Sequence, residues 1–249
     1  MDIFNAYRKL FASTNNESVC WWYCGVVSAD FEGFGDLPRF QAETVMVFDT
    51  KTPAPDTLKI TWKEIGYFRN IATGEIADAW HNPFTGINEV RSKSFEDGPA
   101  EYTVTRNGDG VDVFLTQSHA LIEKVKLVTS TADGRVSFVQ TEDKTRTYQR
   151  PDGSWPDVNS AEARQVRTVL SIFGDLAEVE DPTTTNVRAA GFYRSGAVKQ
   201  GTDLRSRSHV KGIMQKAAPD EVLNPIAWHR LKKLYPGFFR GERVDPGWD

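Results

Sequence analysis

The sequence predicts an all-β chain folded as an antiparallel barrel, and three observations predict it. Runs rich in β-branched and aromatic residues, several with apolar and polar positions alternating, recur along most of the 249 residues. Two turn signals, Asn107–Gly110 (NGDG) and Ala132–Gly134 (ADG), stand between such runs, where Asn-Gly and Asp-Gly favour tight hairpins. No helical segments alternate with the strands, as a doubly wound parallel sheet would require. Several runs are long with only one apolar face, which favours a barrel over a sandwich.

The elements follow in order. Met1–Phe11 carries Ile3, Phe4, Tyr7, Leu10 and Phe11, spaced for a short amphipathic helix. Val19–Val27 (VCWWYCGVV) reads as a strand, and the glycines and proline of Phe31–Pro38 (FEGFGDLP) as a loop. Phe40–Phe48 alternates, with Phe40, Ala42, Thr44, Met46 and Phe48 on one face. Lys51–Asp56 is a turn with two prolines. Thr57–Arg69 is a long strand with Leu58, Ile60 and Trp62 on one face. Turns follow at Ile71–Glu75 (IATGE) and Asn82–Gly86 (NPFTG). The runs Glu101–Arg106 and Val111–Leu115 make one hairpin, and Leu121–Thr129 and Arg135–Thr141 a second. Arg150–Pro156 is a loop. Arg164–Phe173 and Asn186–Arg194 read as strands, the former with helix as an alternative. Glu221–Tyr235 is the best helix candidate, with Pro225 restricting its start. No linker divides the chain, so one domain spans residues 1–249.

Three stretches carry a resemblance: Trp21–Val27 (WWYCGVV), Glu64–Gly86 (EIGYFRNIATGEIADAWHNPFTG) and Tyr235–Phe239 (YPGFF). Together they resemble an uncharacterised bacterial family known only as a domain of unknown function, family 1838. The middle stretch is the most specific. The resemblance implies a lipocalin-like barrel. It brings no catalytic residues. Members of that family often carry a twin-arginine secretion signal; its absence from residues 1–11 sets cytoplasmic residence as the expectation.

Bulk composition narrows the function classes. A net charge of −4 gives no basic footprint for nucleic acid, and no apolar run approaches a membrane span. Expected partners are therefore a small-molecule substrate or ligand, with neither nucleic acid nor membrane; monomer and homo-oligomer stay open. Cys20 and Cys24 share one strand face ~13 Å apart, at about 3.3 Å of rise per residue, too far for a disulfide. The four histidines, His81, His119, His209 and His229, lack local metal spacing, so no metal or cofactor is expected. No Gly-x-Ser-x-Gly elbow, Gly-x-Gly-x-x-Gly loop or Walker loop occurs. The basic cluster Arg205–His209 reads as a solvated loop.

What remains is acid–base chemistry. Glu64 continues the inward face of Leu58, Ile60 and Trp62, where a carboxylate short of water suits proton transfer. The structural alternatives are an Arg partner across the barrel, or a bulge that turns Glu64 outward. His81 and His119 are candidate bases, with ordinary solvated histidines as the alternative. Arg188 and Tyr193 are candidates to hold developing negative charge. Trp22, Tyr23, Trp62, Tyr67 and Trp80 are candidate pocket walls, with core packing as the alternative. Two functions are carried forward. One is a cofactor-independent lyase or isomerase, including retro-aldol cleavage, acting on a small aromatic or apolar substrate. The other is a non-catalytic lipocalin-like binder of a small apolar ligand.

Overall fold

The computed structural model describes residues 1–31, 35–77, 79–81, 86, 88–90, 94–147, 154–199, 207–223 and 225–234. The elements are α1 (Ile3–Phe11), β1 (Val19–Phe31), β2 (Gly35–Ala54), β3 (Thr57–Arg69), β4 (Ala79–His81) and β5 (Asn88–Val90). Then come β6 (Ser94–Asn107), β7 (Gly110–Gln117), β8 (Ala120–Ala132), β9 (Arg135–Arg146), β10 (Arg164–Asp175) and α2 (Leu176–Glu180). The last are β11 (Ala189–Lys199), β12 (Arg207–Lys216), α3 (Pro219–Val222) and α4 (Pro225–Leu234).

Ten strands form one antiparallel sheet in the order β7-β6-β3-β2-β1-β12-β11-β10-β9-β8, and β4 pairs with β5 separately. The edge strands β7 and β8 are joined by the turn at 118–119 and lie side by side, so the sheet curls into a nearly closed barrel. Two-residue periodicity decides what faces inward. On β2 the inner set is Phe40, Ala42, Thr44, Met46 and Phe48; on β3 it begins with the fully buried Leu58 and Ile60. The outer positions Val45, Val47, Ile65 and Tyr67 form a second apolar cluster under Leu223 and Leu231 of the C-terminal helical segment.

α1 fills one end of the barrel. Asp2 caps it, accepting from the backbone N–H groups of Phe4 and Asn5 at 3.0 and 3.3 Å. Its apolar stripe, Phe4, Tyr7, Leu10 and Phe11, is buried among strand residues. Tyr7 stacks on Phe11 at 4.1 Å and meets Phe138 edge-on at 5.5 Å. Trp21 Nε1 donates to the Phe11 carbonyl at 3.0 Å. The buried Lys216 Nζ donates to the Lys9 carbonyl at 2.8 Å and to that of Ala12, which satisfies acceptors a helix end leaves open. Burial draws the Lys216 ammonium down to a pKa of about 7.

Several elements differ from the sequence expectation. Phe31–Pro38 is strand on both sides of residues 32–34, which lie outside the described residues. Pro38 enters a strand because the β1–β2 register shifts beside it, at Val27/Ser28, and a bulge tolerates a missing donor. The turn expected at Lys51–Asp56 shrinks to Pro55–Asp56. β11 starts at Ala189, three residues later than Asn186. Residues 207–209 of the expected loop Arg205–His209 begin β12, which sits inside the sheet between β1 and β11. The C-terminal helix is split in two, with Pro225 opening the second piece, where its missing N–H costs nothing. Residues 82–85 of the NPFTG turn, 150–153 of the Arg150–Pro156 loop, 205 and 206, and the Tyr235–Phe239 stretch lie outside the described residues. Among the described residues, no helix is long and apolar enough to cross a membrane.

Glycines allow the close approach of β1 and β12. Gly25 and Gly212 are register partners. A Cβ on Gly212 would stand 2.1 Å from the Cys24 carbonyl oxygen, a backbone atom that cannot step aside. Gly212→Ala should therefore destabilise the fold by roughly 1–3 kcal/mol. A denaturant midpoint equal to that of the unaltered chain would refute this account of the β1–β12 contact.

Candidate functional site

Above the α1 plug the barrel encloses a cavity of about 370 Å³, within the range of small-molecule sites. One wall comes from β1, β2 and β3: Tyr23, Thr44, Met46, Trp62 and Glu64. Another comes from β9, β10 and β11: Glu142, Lys144, Arg146, Arg164, Thr168 and Tyr193. Each set follows from alternation, since residues two apart on a strand share a face.

A buried polar chain joins the plug to the cavity. Tyr7 Oη donates to Gln140 Oε1 at 2.9 Å, and Gln140 Nε2 donates to Glu142 Oε1 at 2.8 Å. Tyr102 Oη donates to the same carboxylate oxygen at 2.7 Å. Lys144 Nζ donates to Glu142 Oε2 at 3.2 Å and to Gln117 Oε1 at 2.9 Å. Glu142 is thus a buried carboxylate with three donors, one of them a cation, the condition that makes such burial tolerable.

Glu64 occupies a different setting. Alternation carries it from Leu58, Ile60 and Trp62 onto the cavity wall. The β3–β6 register shifts between Trp62 and Glu64, with the extra residue on β6, so β3 keeps its alternation through Glu64. Its charge is felt by both Tyr23 and Tyr193, whose rings meet edge-to-face at 5.2 Å. Gly25 makes room for Tyr23. The Tyr23 hydroxyl lies 1.9 Å from where a Cβ of Gly25 would be, and Gly212 lets the β1 backbone at Cys24 and Gly25 approach.

Desolvation, and then neighbouring negative charge, push both tyrosines far above their ordinary pKa. Tyr102 is raised by burial and by Glu142. All three therefore stay protonated at neutral pH, each with a hydrogen to donate. Among the described residues, Tyr23 Oη, Thr44 Oγ1 and Trp62 Nε1 are buried without a hydrogen-bond partner. Tyr23 and Thr44 are register partners on β1 and β2. Three cavity-lining residues thus carry unmatched donors on one wall, and such groups are costly unless something accepts from them.

The structure gathers four of the residues expected from sequence, Glu64, Tyr193, Tyr23 and Trp62, around this cavity. The others lie elsewhere. Trp22 and Tyr67 alternate to the outer face, where they bond Glu43. Trp80 is half-buried on β4, with the Arg39 guanidinium 4.5 Å over its ring. His81 is exposed, its Nδ1 3.0 Å from Asn88 Oδ1. His119 sits in the β7–β8 turn at a φ of 55° and stacks on Trp155 at 3.9 Å. Arg188 precedes β11 and is exposed, so it has no place on the inner ladder. Sequence reasoning missed Tyr102, Glu142, Lys144, Arg146 and Arg164. The two-residue spacing of Glu142, Lys144 and Arg146 on β9 was the available signal for those three, but polar residues at that spacing read as a solvent face. Neither a scan of protein-family models nor a search of curated proteins finds a match to the chain.

The tyrosine environments predict an alkaline transition. Tyr7, Tyr23, Tyr67, Tyr102 and Tyr193 are all raised, by burial first, relative to the unfolded value of about 10. The folded chain keeps protons that the unfolded chain loses, so this stabilisation is complete below about pH 10 and is lost as pH rises further. Tyrosinate absorbance should therefore rise together with loss of the β-sheet circular dichroism signal. Five tyrosines ionising near pH 10 in a chain that keeps its sheet signal would contradict these environments.

Proposed function

We propose that the barrel is a cofactor-independent acid–base enzyme, a lyase or isomerase acting on a small aromatic or apolar substrate, with Glu64 as the proton-transfer group. One observation carries the reading. Glu64 shares a cavity wall with three residues, Tyr23, Thr44 and Trp62, whose buried donors lack partners among the described residues. Such donors suit a carbonyl oxygen that gains negative charge, the arrangement that stabilises an enolate.

The chemistry follows from these roles. The substrate carbonyl oxygen accepts from the unmatched donors. Glu64 removes a proton either from the carbon beside the carbonyl, for isomerisation, or from a β-hydroxyl, for retro-aldol cleavage. In the second case the O–H electron pair forms the new carbonyl. The carbon–carbon bond breaks, and its electrons pass into the enolate. Glu64 then returns the proton to the enolate carbon. Tyr193, held protonated, faces the same space and adds a dipole. His81, His119 and Arg188 have no part in it, since they lie off the cavity. The resemblance to family 1838, cytoplasmic residence and a small-molecule partner belong to the same proposal.

The apolar side of the cavity favours a second reading. Met46, Phe48, Leu170 and Met214 would hold an apolar ligand without chemistry, as in a lipocalin-like binder. Glu64→Gln separates the two when turnover of aryl β-hydroxy ketones, ligand affinity and melting are measured on one preparation. The enzyme reading expects turnover to fall by about 10²-fold or more while affinity and melting hold. Undiminished turnover would sink the assigned role of Glu64. Ligand binding by the unaltered chain, with no turnover across the series, would support the binder. A stability loss of roughly 3–5 kcal/mol would make Glu64 half of a buried ion pair instead.

A further inference from the structure

We infer that the cavity holds a neutral, elongated ligand with an acceptor oxygen at each end, and that its substrate form is an aryl β-hydroxy ketone with a second oxygen on the far side of the ring. The inference rests on the reading of the cavity as a small-molecule site and names both ends of the molecule it holds.

Strand register supplies a ruler. Tyr23 on β1 pairs with Thr44 on β2, and Thr44 pairs with Gly66 on β3. Two residues along β2, Met46 pairs with Glu64, and two further on Phe48 pairs with Trp62. The Thr44 and Trp62 rungs therefore stand about 13 Å apart, at about 3.3 Å of rise per residue, with Glu64 on the rung between them. The Tyr23 ring leans away from Trp62, since its hydroxyl lies 1.9 Å from where a Cβ of Gly25 would be. Gly25 pairs with Ala42, which is about 20 Å along β2 from the Phe48 partner of Trp62.

The unmatched donors divide along this ruler. Tyr23 and Thr44 are only 4% and 1% exposed, and both line the cavity, as does Trp62. Tyr23 Oη, Thr44 Oγ1 and Trp62 Nε1 are buried without an acceptor among the described residues. A hydrogen bond spans about 3 Å, so one oxygen serves two donors only when they lie within about 6 Å of each other. An indole side chain is too short to carry its N–H from the Trp62 rung to the Gly25 rung. The wall therefore asks for two acceptors, one at the Tyr23–Thr44 end and one at the Trp62 end. Each donor is uncharged, so a carbonyl or ether oxygen satisfies it without a counter-charge.

The residues around the ruler give the molecule its direction. Met46 lines the span between the two ends with an apolar surface, and Glu64 shares that rung. The Trp62 end lies toward the plug. The Trp62 ring stacks on Phe48, and Phe48 packs on Trp21, whose indole N–H donates to the Phe11 carbonyl of α1. In the retro-aldol form of the reaction the substrate carbonyl accepts from Tyr23 and Thr44, the β-hydroxyl meets Glu64, and the aryl ring runs on to Trp62. Glu64 takes the hydroxyl proton as the carbon–carbon bond breaks, and returns it to the enolate carbon. The products are a ketone at the Tyr23–Thr44 end and an aryl aldehyde at the Trp62 end.

The test is isothermal titration of the full chain with 4-(4-methoxyphenyl)butan-2-one, which carries both oxygens, and with 4-phenylbutan-2-one and 4-butylanisole, which carry one each. The two-oxygen compound should bind about tenfold or more tightly than either of the others. Trp62→Phe should erase the gain from the methoxy oxygen and keep the gain from the carbonyl. Tyr23→Phe and Thr44→Val should do the reverse. Without ligand, the last two variants should melt at or above the temperature of the unaltered chain, since each removes an unmatched buried hydroxyl. Equal binding of the methoxy ketone and 4-phenylbutan-2-one would overturn the inference and leave the carbonyl reading standing. So would a Trp62→Phe variant that keeps the methoxy gain. Lower melting of both hydroxyl variants would give those hydroxyls partners within the wall and overturn it as well. Failure of all three compounds to bind would overturn both. Two-ended binding with undiminished turnover in Glu64→Gln would uphold the inference and sink the role of Glu64. The three compounds compared on the unaltered chain decide the matter if a variant does not fold.

Discussion

A barrel of ten strands encloses more space than the side chains of its own walls readily fill, and that constraint organises the rest of the molecule. The chain answers it differently at the two ends. At one end α1 supplies the missing volume, and its Phe4, Tyr7, Leu10 and Phe11 stand where strand residues alone would leave a void. At the other end nothing among the described residues does the same, and a cavity of about 370 Å³ remains. The boundary is polar. Tyr7, Gln140, Glu142, Tyr102 and Lys144 bond one another across it, so the plug is tied to the cavity wall by directional contacts as well as by packing.

The fold was legible wherever one face of a strand is apolar. Phe40 to Phe48, and Leu58 to Trp62, declare their inner face by alternation alone, and NGDG and ADG declare their turns through Gly108, Asp133 and Gly134 at positive φ. β12 was not legible. Its inner positions run Val210, Gly212, Met214 and Lys216, where a glycine admits the β1 backbone and a lysine caps α1. Neither residue belongs to a hydrophobic pattern, although the strand lies deep in the sheet. The same blindness hid half of the candidate site. Glu64 and Trp62 could be placed because apolar neighbours set their face. Glu142, Lys144 and Arg146 could not, because a strand whose inner face is polar looks inside out until its partners are known.

Two buried carboxylates, Glu43 and Glu142, and the half-buried Glu64 show what distinguishes support from candidate chemistry. Glu43 lies on the outer face under the C-terminal helices and accepts from Trp22 at 3.2 Å, from Arg69 at 3.1 Å and from Tyr67. Glu142 lies on the inner face and accepts from Tyr102, Gln140 and Lys144. Both are tied by several donors, including a cation: those of Glu43 come from the adjacent strands β1 and β3, and those of Glu142 from its own strand β9 and from β6. Such a carboxylate is held in one place by its donors, which serves the sheet.

Glu64 stands on the cavity wall. The side chains that feel its charge include Tyr23 and Tyr193, two protonated phenols packed edge-to-face, and Tyr23 Oη has no acceptor among the described residues. A carboxylate facing donors that are themselves unmatched is an arrangement a sheet does not need for stability, since each unmatched donor is a cost. The fold carries that cost on the wall of its cavity and settles it fully around Glu43 and Glu142. The asymmetry is what singles out the wall of β1, β2 and β3. A ligand with an acceptor oxygen would complete the hydrogen bonding that the barrel leaves open there, and would bring that oxygen to the same wall as Glu64.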